Sequence, residues 1–259
     1  MRRLSLLSVL VLGLSLVGVH TVQAAAGTYS ALGDSYSSGT GSRSYYSDSG
    51  SCQRSPYAYP VLAAQQKGAT LTFTACSGAR IADVQNNQLG SLNASTTYVT
   101  VSAGGNDAGF SSVITQCAKP WPTTCTTEIN NANNTIRNTI PGRLDALYNA
   151  IRSRASSARV IVVGYPRIFN GEECNLLARI SPGEQAELNK SADLLAGVIS
   201  ARAAAHGFTF VDPRSAFTGH AVCDDTEWIN GLSDPISESY HPNRTGQSAG
   251  YTPLVTARM

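Results

Sequence analysis

Short apolar runs separated by turn formers divide the chain into alternating strand-like and helix-like segments. Tyr29-Ser30-Ala31-Leu32 stops at Gly33-Asp34-Ser35, which reads as a strand followed by a turn. Ser37 to Ser55 is rich in Ser, Gly and Tyr, lacks apolar periodicity, and is expected to be a surface loop. Pro56 to Gln66 reads as a helix, with Pro near its start and Gly68 past its end. Leu71 to Cys76 alternates and is expected to be a strand ended by Ser77-Gly78, with a short helix after Arg80. Tyr98 to Ala103 is the next strand, stopped by Gly104-Gly105-Asn106-Asp107.

Farther on, Ile129, Ala132, Ile136 and Ile140 recur at helical spacing. Pro141-Gly142 interrupts them, and Leu144, Leu147 and Ile151 resume the stripe. Two helices or one kinked helix satisfy this pattern, and core packing accounts for the stripe. Val160 to Val163 is continuously apolar, as in a strand buried on both faces of a parallel sheet. Ser181-Pro182-Gly183-Glu184 has the form of a capping box with Pro at the first helical position. Leu188, Ala192, Leu195 and Ile199 continue that helix until Gly207, directly after His206. Phe208 to Val211 is a further strand, Ala216 to Pro242 is loop-like, and a last helix begins near Thr245 with Asn243 as its cap. Alternation of strand and helix without an internal repeat predicts a single three-layer α/β/α domain around a parallel sheet of about five strands.

The first residues stand outside that pattern. Arg2 and Arg3 precede an apolar run from Leu4 to Val19 and a small-residue segment ending at Ala26. This is the form of a secretory signal peptide, so residues 1–26 are expected to be cleaved and residues 27–259 to form the secreted domain. The run is short for a bilayer span and is interrupted by Gly13, Ser15 and Gly18, and no later stretch could cross one. Removing Arg2 and Arg3 from 19 Lys+Arg matches the remaining cations to the 17 Asp+Glu. A neutral domain has no electrostatic footprint for nucleic acid and no basic run for an anionic membrane.

Six cysteines in an exported chain imply disulfides. Sequential pairing (Cys52 with Cys76, Cys117 with Cys125, Cys174 with Cys223) makes each bridge clip a local loop. The absence of C-x-x-C and of a His beside any Cys argues against a metal site, and no cofactor is implied.

Ligands of an open parallel sheet bind beyond the carboxyl ends of its strands. Ser35, Gly78 and Asn106 each follow the end of a separate strand and therefore share one rim. A serine hydroxyl needs a base, usually His. Of the histidines after residue 26, His206 ends a helix and His220 lies in a loop with no orienting acid nearby. His241 has Glu238 three residues earlier, where a carboxylate can curl back to the imidazole, so His241 is the expected base. The Ser35 and Gly78 N–H groups and the Asn106 amide could converge on an oxyanion.

These segments resemble the signature blocks of one family. Gly33-Asp34-Ser35, Gly78, Gly104-Gly105-Asn106-Asp107 and Glu238-Ser239-Tyr240-His241 are similar, in order and spacing, to the four blocks of the GDSL, or SGNH, hydrolases. The leader, the six cysteines and the Ser-Tyr-Ser-Ser-Gly continuation look most like secreted actinobacterial lipases and esterases of that family. The resemblance implies a flavodoxin-like fold, Ser35 as nucleophile, His241 as base, and Gly78 and Asn106 as oxyanion donors beside the Ser35 amide. The family usually carries Asp where this chain has Glu238. Either the Glu238 carboxylate or a main-chain carbonyl of Glu238 or Ser239 is then expected to orient the imidazole. Asp34 and Asp107 are read as structural.

Hydrolysis of fatty-acid esters by a monomer without a cofactor is the expectation. Phospholipase A or sugar-ester deacetylase activity is the alternative, and a non-catalytic carbohydrate-binding module a remoter one. Gly-x-Ser-x-Gly is absent around Ser35, which sets this chain apart from the common α/β-hydrolases.

Overall fold

The structure, a computed structural model, describes residues 27–175 and 177–259. The signal-peptide segment, residues 1–26, lies outside the described residues. Five parallel strands form the centre: β1 (Thr28–Gly33), β2 (Thr70–Phe73), β3 (Tyr98–Ser102), β4 (Arg159–Val163) and β5 (Thr209–Val211). Their spatial order is β2-β1-β3-β4-β5. The chain reverses direction of growth at β1, so the topological switch point falls between β1 and β3, where this class of sheet opens a crevice.

The helices are α1 (Ser35–Ser38), α2 (Tyr59–Lys67), α3 (Ile81–Asn87), α4 (Phe110–Cys117), α5 (Thr126–Asn138), α6 (Ile140–Arg154), α7 (Pro182–Ala205) and α8 (Thr252–Thr256). α3 packs with α6, and α5 and α6 pack with α7. Elsewhere α2 packs with α8 and α1. The sheet is thus covered by two helical layers.

Sequence features explain the boundaries. The stripe from Ile129 to Ile151 resolves into α5 and α6, and Ile136, Ile140, Leu144, Leu147 and Ile151 are all buried in the core. Pro141 sits in the first turn of α6, where its missing N–H would have no intrahelical partner anyway. At α7 the Ser181 side chain caps the Glu184 N–H while the Glu184 carboxylate accepts from the Ser181 N–H at 3.1 Å. Asn243 Oδ1 accepts the Gly246 N–H at 3.0 Å, opening the final helical segment. Disulfides join Cys52–Cys76, Cys117–Cys125 and Cys174–Cys223.

Two expectations need correction. β2 ends at Phe73 rather than Cys76, because the Thr74 and Ala75 N–H groups both turn to the Ala31 carbonyl (3.0 and 3.1 Å), a bulge that breaks the ladder. The Ser37–Ser55 segment is only partly surface. Ser37, Ser38, Thr40, Ser42 and Ser55 are buried. Their hydroxyls find internal partners: Ser37 with Tyr59 at 2.9 Å, and Ser42 donating to the Gly39 carbonyl at 2.6 Å. Composition alone made this stretch look solvated, whereas hydrogen bonding lets small hydroxyls lie beneath the site.

Candidate active site

β1 ends on Gly33, whose φ of +130° suits glycine and where an added Cβ would lie 2.6 Å from the Ser102 carbonyl oxygen of β3. The two strands thus close tightly under the turn. The buried Gln88 amide brackets this residue, accepting the Gly33 N–H at 2.7 Å and donating to the Gly33 carbonyl at 2.9 Å. Asp34 follows as the cap of α1. Its Oδ1 accepts the Tyr36 N–H at 3.0 Å and its Oδ2 the Tyr165 hydroxyl at 2.5 Å. Burial pushes the Asp34 carboxyl up to about 7, with these two donors pulling the other way. Ser35 is thereby presented at the rim, in the first turn of α1.

His241 arrives from the opposite side on a loop pinned to its neighbours. Its carbonyl accepts the Asn230 N–H at 2.9 Å, and the carbonyl of Tyr240 accepts the Tyr36 hydroxyl at 2.8 Å. Gly41 lets the two loops touch, since a Cβ there would meet the His241 Cβ at 2.9 Å. The imidazole Nε2 lies 2.8 Å from Ser35 Oγ, and Nδ1 lies 2.9 Å from the Ser239 carbonyl oxygen. A carbonyl only accepts, so Nδ1 carries the proton. Nε2 is then the free acceptor facing the serine hydroxyl. Burial lowers the His241 pKa to about 4, with the Ser239 carbonyl pulling it upward.

Ser35, Gly78, Asn106 and His241 line one cavity of about 720 Å³, whose walls include the buried apolar side chains of Val113, Ile136 and Leu195. The N–H groups of Ser35 and Gly78 have no hydrogen-bond partner among the described residues. Asn106 Nδ2 donates to the Ala79 carbonyl at 3.0 Å, which occupies one of its two hydrogens. Asp107 is turned away from the cavity: it accepts the Ile81 N–H at 2.8 Å and pairs with Arg143 at 2.8 Å, bracing α3 against α6. A neutral hydroxyl–imidazole pair beside unpartnered donors, at the mouth of an apolar cavity, is equipped for acyl transfer.

A model of the GDSL-like lipase/acylhydrolase family matches residues 31–249. Lipase 1 of Streptomyces coelicolor is 46% identical over 254 residues, 95% of this chain and 94% of its own length. Among solved structures, the extracellular lipase of Streptomyces rimosus shares 43% identity at a TM-score of 0.86, covering 90% of this chain and 100% of its own. The phospholipase A1 of Streptomyces albidoflavus NA297 shares 46% identity at a TM-score of 0.87, covering 91% and 100%. The chain belongs to the GDSL-like lipase/acylhydrolase family. It is a carboxylic-ester hydrolase with the central five-stranded sheet of its relatives.

In this GDSL-like hydrolase, of the two expected ways of orienting the base, the Glu238 carboxylate is not the one found. The Glu238 carboxylate is buried but points away from the imidazole. Oε1 accepts the Tyr45 hydroxyl at 2.6 Å, and Oε2 lies 2.9 Å from Arg43 Nε. Of the alternatives left open, the Ser239 carbonyl occupies the Nδ1 position. The Glu238 side chain is instead held by the Ser37–Ser55 segment through Arg43 and Tyr45. Glu238→Ala is therefore expected to keep kcat within about tenfold of wild type, where loss of a true triad acid costs about 10⁴-fold. It should lower stability by about 1–3 kcal/mol, because the Tyr45 hydroxyl loses its acceptor and Arg43 its counter-charge. Steady-state kinetics beside thermal melting read both effects, and a thousandfold fall in kcat would restore the triad reading.

Gln88, Tyr165, Arg43 and Tyr45 are site-supporting residues that the sequence did not reveal. Each acts across more than 50 positions of chain, and no local pattern marks them.

Proposed function

We propose that this protein hydrolyses carboxylic esters of fatty acids through an acyl-Ser35 intermediate. His241 Nε2 takes the Ser35 proton as Oγ attacks the ester carbonyl, and the resulting imidazolium is held by the Ser239 carbonyl. The Ser35 and Gly78 N–H groups and the second Asn106 amide hydrogen receive the oxyanion. The same imidazole then gives its proton to the leaving alcohol, and water repeats the sequence to free the acid. The 2.8 Å approach of Ser35 Oγ to His241 Nε2 at the mouth of the apolar cavity is the observation that carries this reading. Treatment with an alkyl phosphonate followed by peptide mass spectrometry tests it. One adduct on Ser35 is expected. An adduct on another residue, or none, would overturn the assignment.

Glycerophospholipid esters are the second reading, favoured by the 46% identity to a phospholipase A1. A sugar-ester deacetylase fits less well, since an acetyl group needs no deep apolar cavity. Export after cleavage near Ala26 is supported by the basic, apolar and small-residue succession at the amino terminus and by the extracellular relative from Streptomyces rimosus. We take the enzyme to act as a monomer. Among the described residues no helix is long and apolar enough to cross a membrane.

The depressed pKa of His241 sets the acid limit of activity. Below about 4 the imidazole is protonated and cannot accept the serine proton. The kcat/KM for a soluble ester should therefore hold through the ordinary His range and fall only near pH 4. Stability should not confound this reading. Between about 4 and 6.5 the unfolded chain binds a proton at His241 that the folded chain does not, so acidification destabilises. Asp34, raised from 3.8 to about 7, is protonated when folded and ionised when unfolded over nearly the same window, so acidification there stabilises. The two slopes oppose each other. A pH–rate profile with parallel melting curves checks this, and a rate loss centred near 6.5 would contradict it.

A further inference from the structure

Large apolar side chains standing in water are usually scattered, and a gathering of them marks a surface that meets something. Among the described residues the three most exposed are Trp121 (90%), Leu177 (85%) and Ile236 (75%). They come from three separate loops: between α4 and α5, between β4 and α7, and from the short turn Ile236–Glu238 ahead of His241. Leu177 and Ile236 line the cavity that opens on Ser35, and Trp121 directly follows Pro120, which also lines it. Three separate loops thus bring apolar side chains to one opening, two of them tied together by the Cys174–Cys223 disulfide.

We propose that Trp121, Leu177 and Ile236 form a docking rim that seats the cavity mouth on the surface of aggregated lipid, so that an acyl chain passes into the cavity without crossing bulk water. The inference rests on the acyl-ester reading of the Ser35 site. A lipid surface fits better than a protein partner because the apolar rim is continuous with the apolar cavity. A lipid can leave the surface and enter the mouth, whereas a protein seated there would close it. Indole is also a side chain that settles at the boundary of water and hydrocarbon. The attraction is apolar, not ionic. Residues 27–259 carry Lys+Arg and Asp+Glu in equal number, and among the described residues Asp34, buried, is the only carboxylate lining the cavity. The exposed Lys119 beside the rim hydrogen-bonds Gln116 at 2.6 Å.

The chain has two tryptophans, and Trp228 lies stacked on His220 at a centroid separation of 3.7 Å. Trp228→Phe keeps an aromatic ring there and leaves Trp121 as the sole indole reporter. In a Ser35→Ala background, which prevents turnover, neutral phosphatidylcholine vesicles should shift Trp121 emission to the blue. In the same background, Trp121→Ser with Ile236→Ser should lower the co-sedimentation partition coefficient by about tenfold or more, each lost side chain having been buried on binding. Binding should survive about 1 M NaCl, where surface electrostatics are screened. An unshifted emission, an unchanged partition coefficient, or binding confined to anionic phosphatidylglycerol vesicles and abolished by salt would each overturn the docking rim. Phosphonate labelling of Ser35 in the wild-type protein separates the two readings. Labelling without vesicle binding defeats the rim alone, and vesicle binding without labelling defeats the acyl-serine mechanism alone.

Discussion

Ser35→Ala is expected to lower kcat on every accepted ester by about 10⁶-fold while leaving the fold unchanged. The reasons are local. Among the described residues the Ser35 hydroxyl bonds only the His241 imidazole, whose Nε2 is an acceptor, so its removal strands no buried donor. The cap of α1 belongs to Asp34, and the hydrogen bonds that brace the turn run through the backbone of Gly33 and Asp34. An alanine methyl occupies part of the volume the hydroxymethyl group leaves. The Ser35 N–H, Gly78 and Asn106 are untouched, so a residual acceleration of about 10³-fold over the uncatalysed reaction should persist from binding and oxyanion donation alone. His241→Ala should cost about as much as Ser35→Ala, and the double variant little more than either, because a hydroxyl and its base act as one unit. Turnover numbers measured with active-site titration to exclude wild-type carry-over, beside melting temperatures, check the set. Strictly additive losses, or a Ser35→Ala enzyme keeping more than about 1% of kcat, would show that another group attacks the ester.

The elements with strong patterns are legible in the sequence itself. Val160–Val163, the capping box at Ser181 and the stripe from Ile129 to Ile151 each encode one conformation locally, and each is found close to where periodicity put it. The shared rim was legible for a topological reason: in a parallel sheet, every strand-ending turn on one edge meets the same crevice, so Ser35, Gly78 and Asn106 converge without any local signal that they should. What escaped is what depends on distant partners. Buried Ser37 and Ser42 read as solvated because serine composition does not say where a hydroxyl finds its acceptor. Whether Glu238 or a main-chain carbonyl orients His241 stayed open because spacing along the chain says nothing about Arg43 and Tyr45, which take the Glu238 carboxylate. Gln88, with both amide ends on Gly33, is the sharpest case: the residue that fixes the end of β1 lies on no recognisable motif.

Asn106→Ala is the second large effect, a fall of about 10²–10³-fold in kcat with KM nearly unchanged. The asymmetry follows from when the donor matters. The ground-state carbonyl is a modest acceptor, and the tetrahedral oxyanion a strong one, so a donor aimed at the latter contributes mainly to the transition state. Orientation of the amide is fixed because Ala79 offers a carbonyl, which only a nitrogen can satisfy, and this leaves the second hydrogen of Nδ2 free. That contact also ties the Gly78-Ala79 turn to the loop after β3. Its loss should therefore also loosen the Gly78 N–H proposed as a second oxyanion donor, and the fall should lie toward the upper end of the range. Asn106→Asp makes the stricter comparison. It keeps the size of the side chain but replaces the donor with a carboxylate facing both the Ala79 carbonyl and the developing negative charge, so it should be worse than alanine. Stopped-flow acylation rates with a chromogenic ester separate the chemical step from deacylation. An Asn106→Ala acylation rate within about threefold of wild type, or an Asp variant faster than the Ala variant, would take Asn106 out of the oxyanion site.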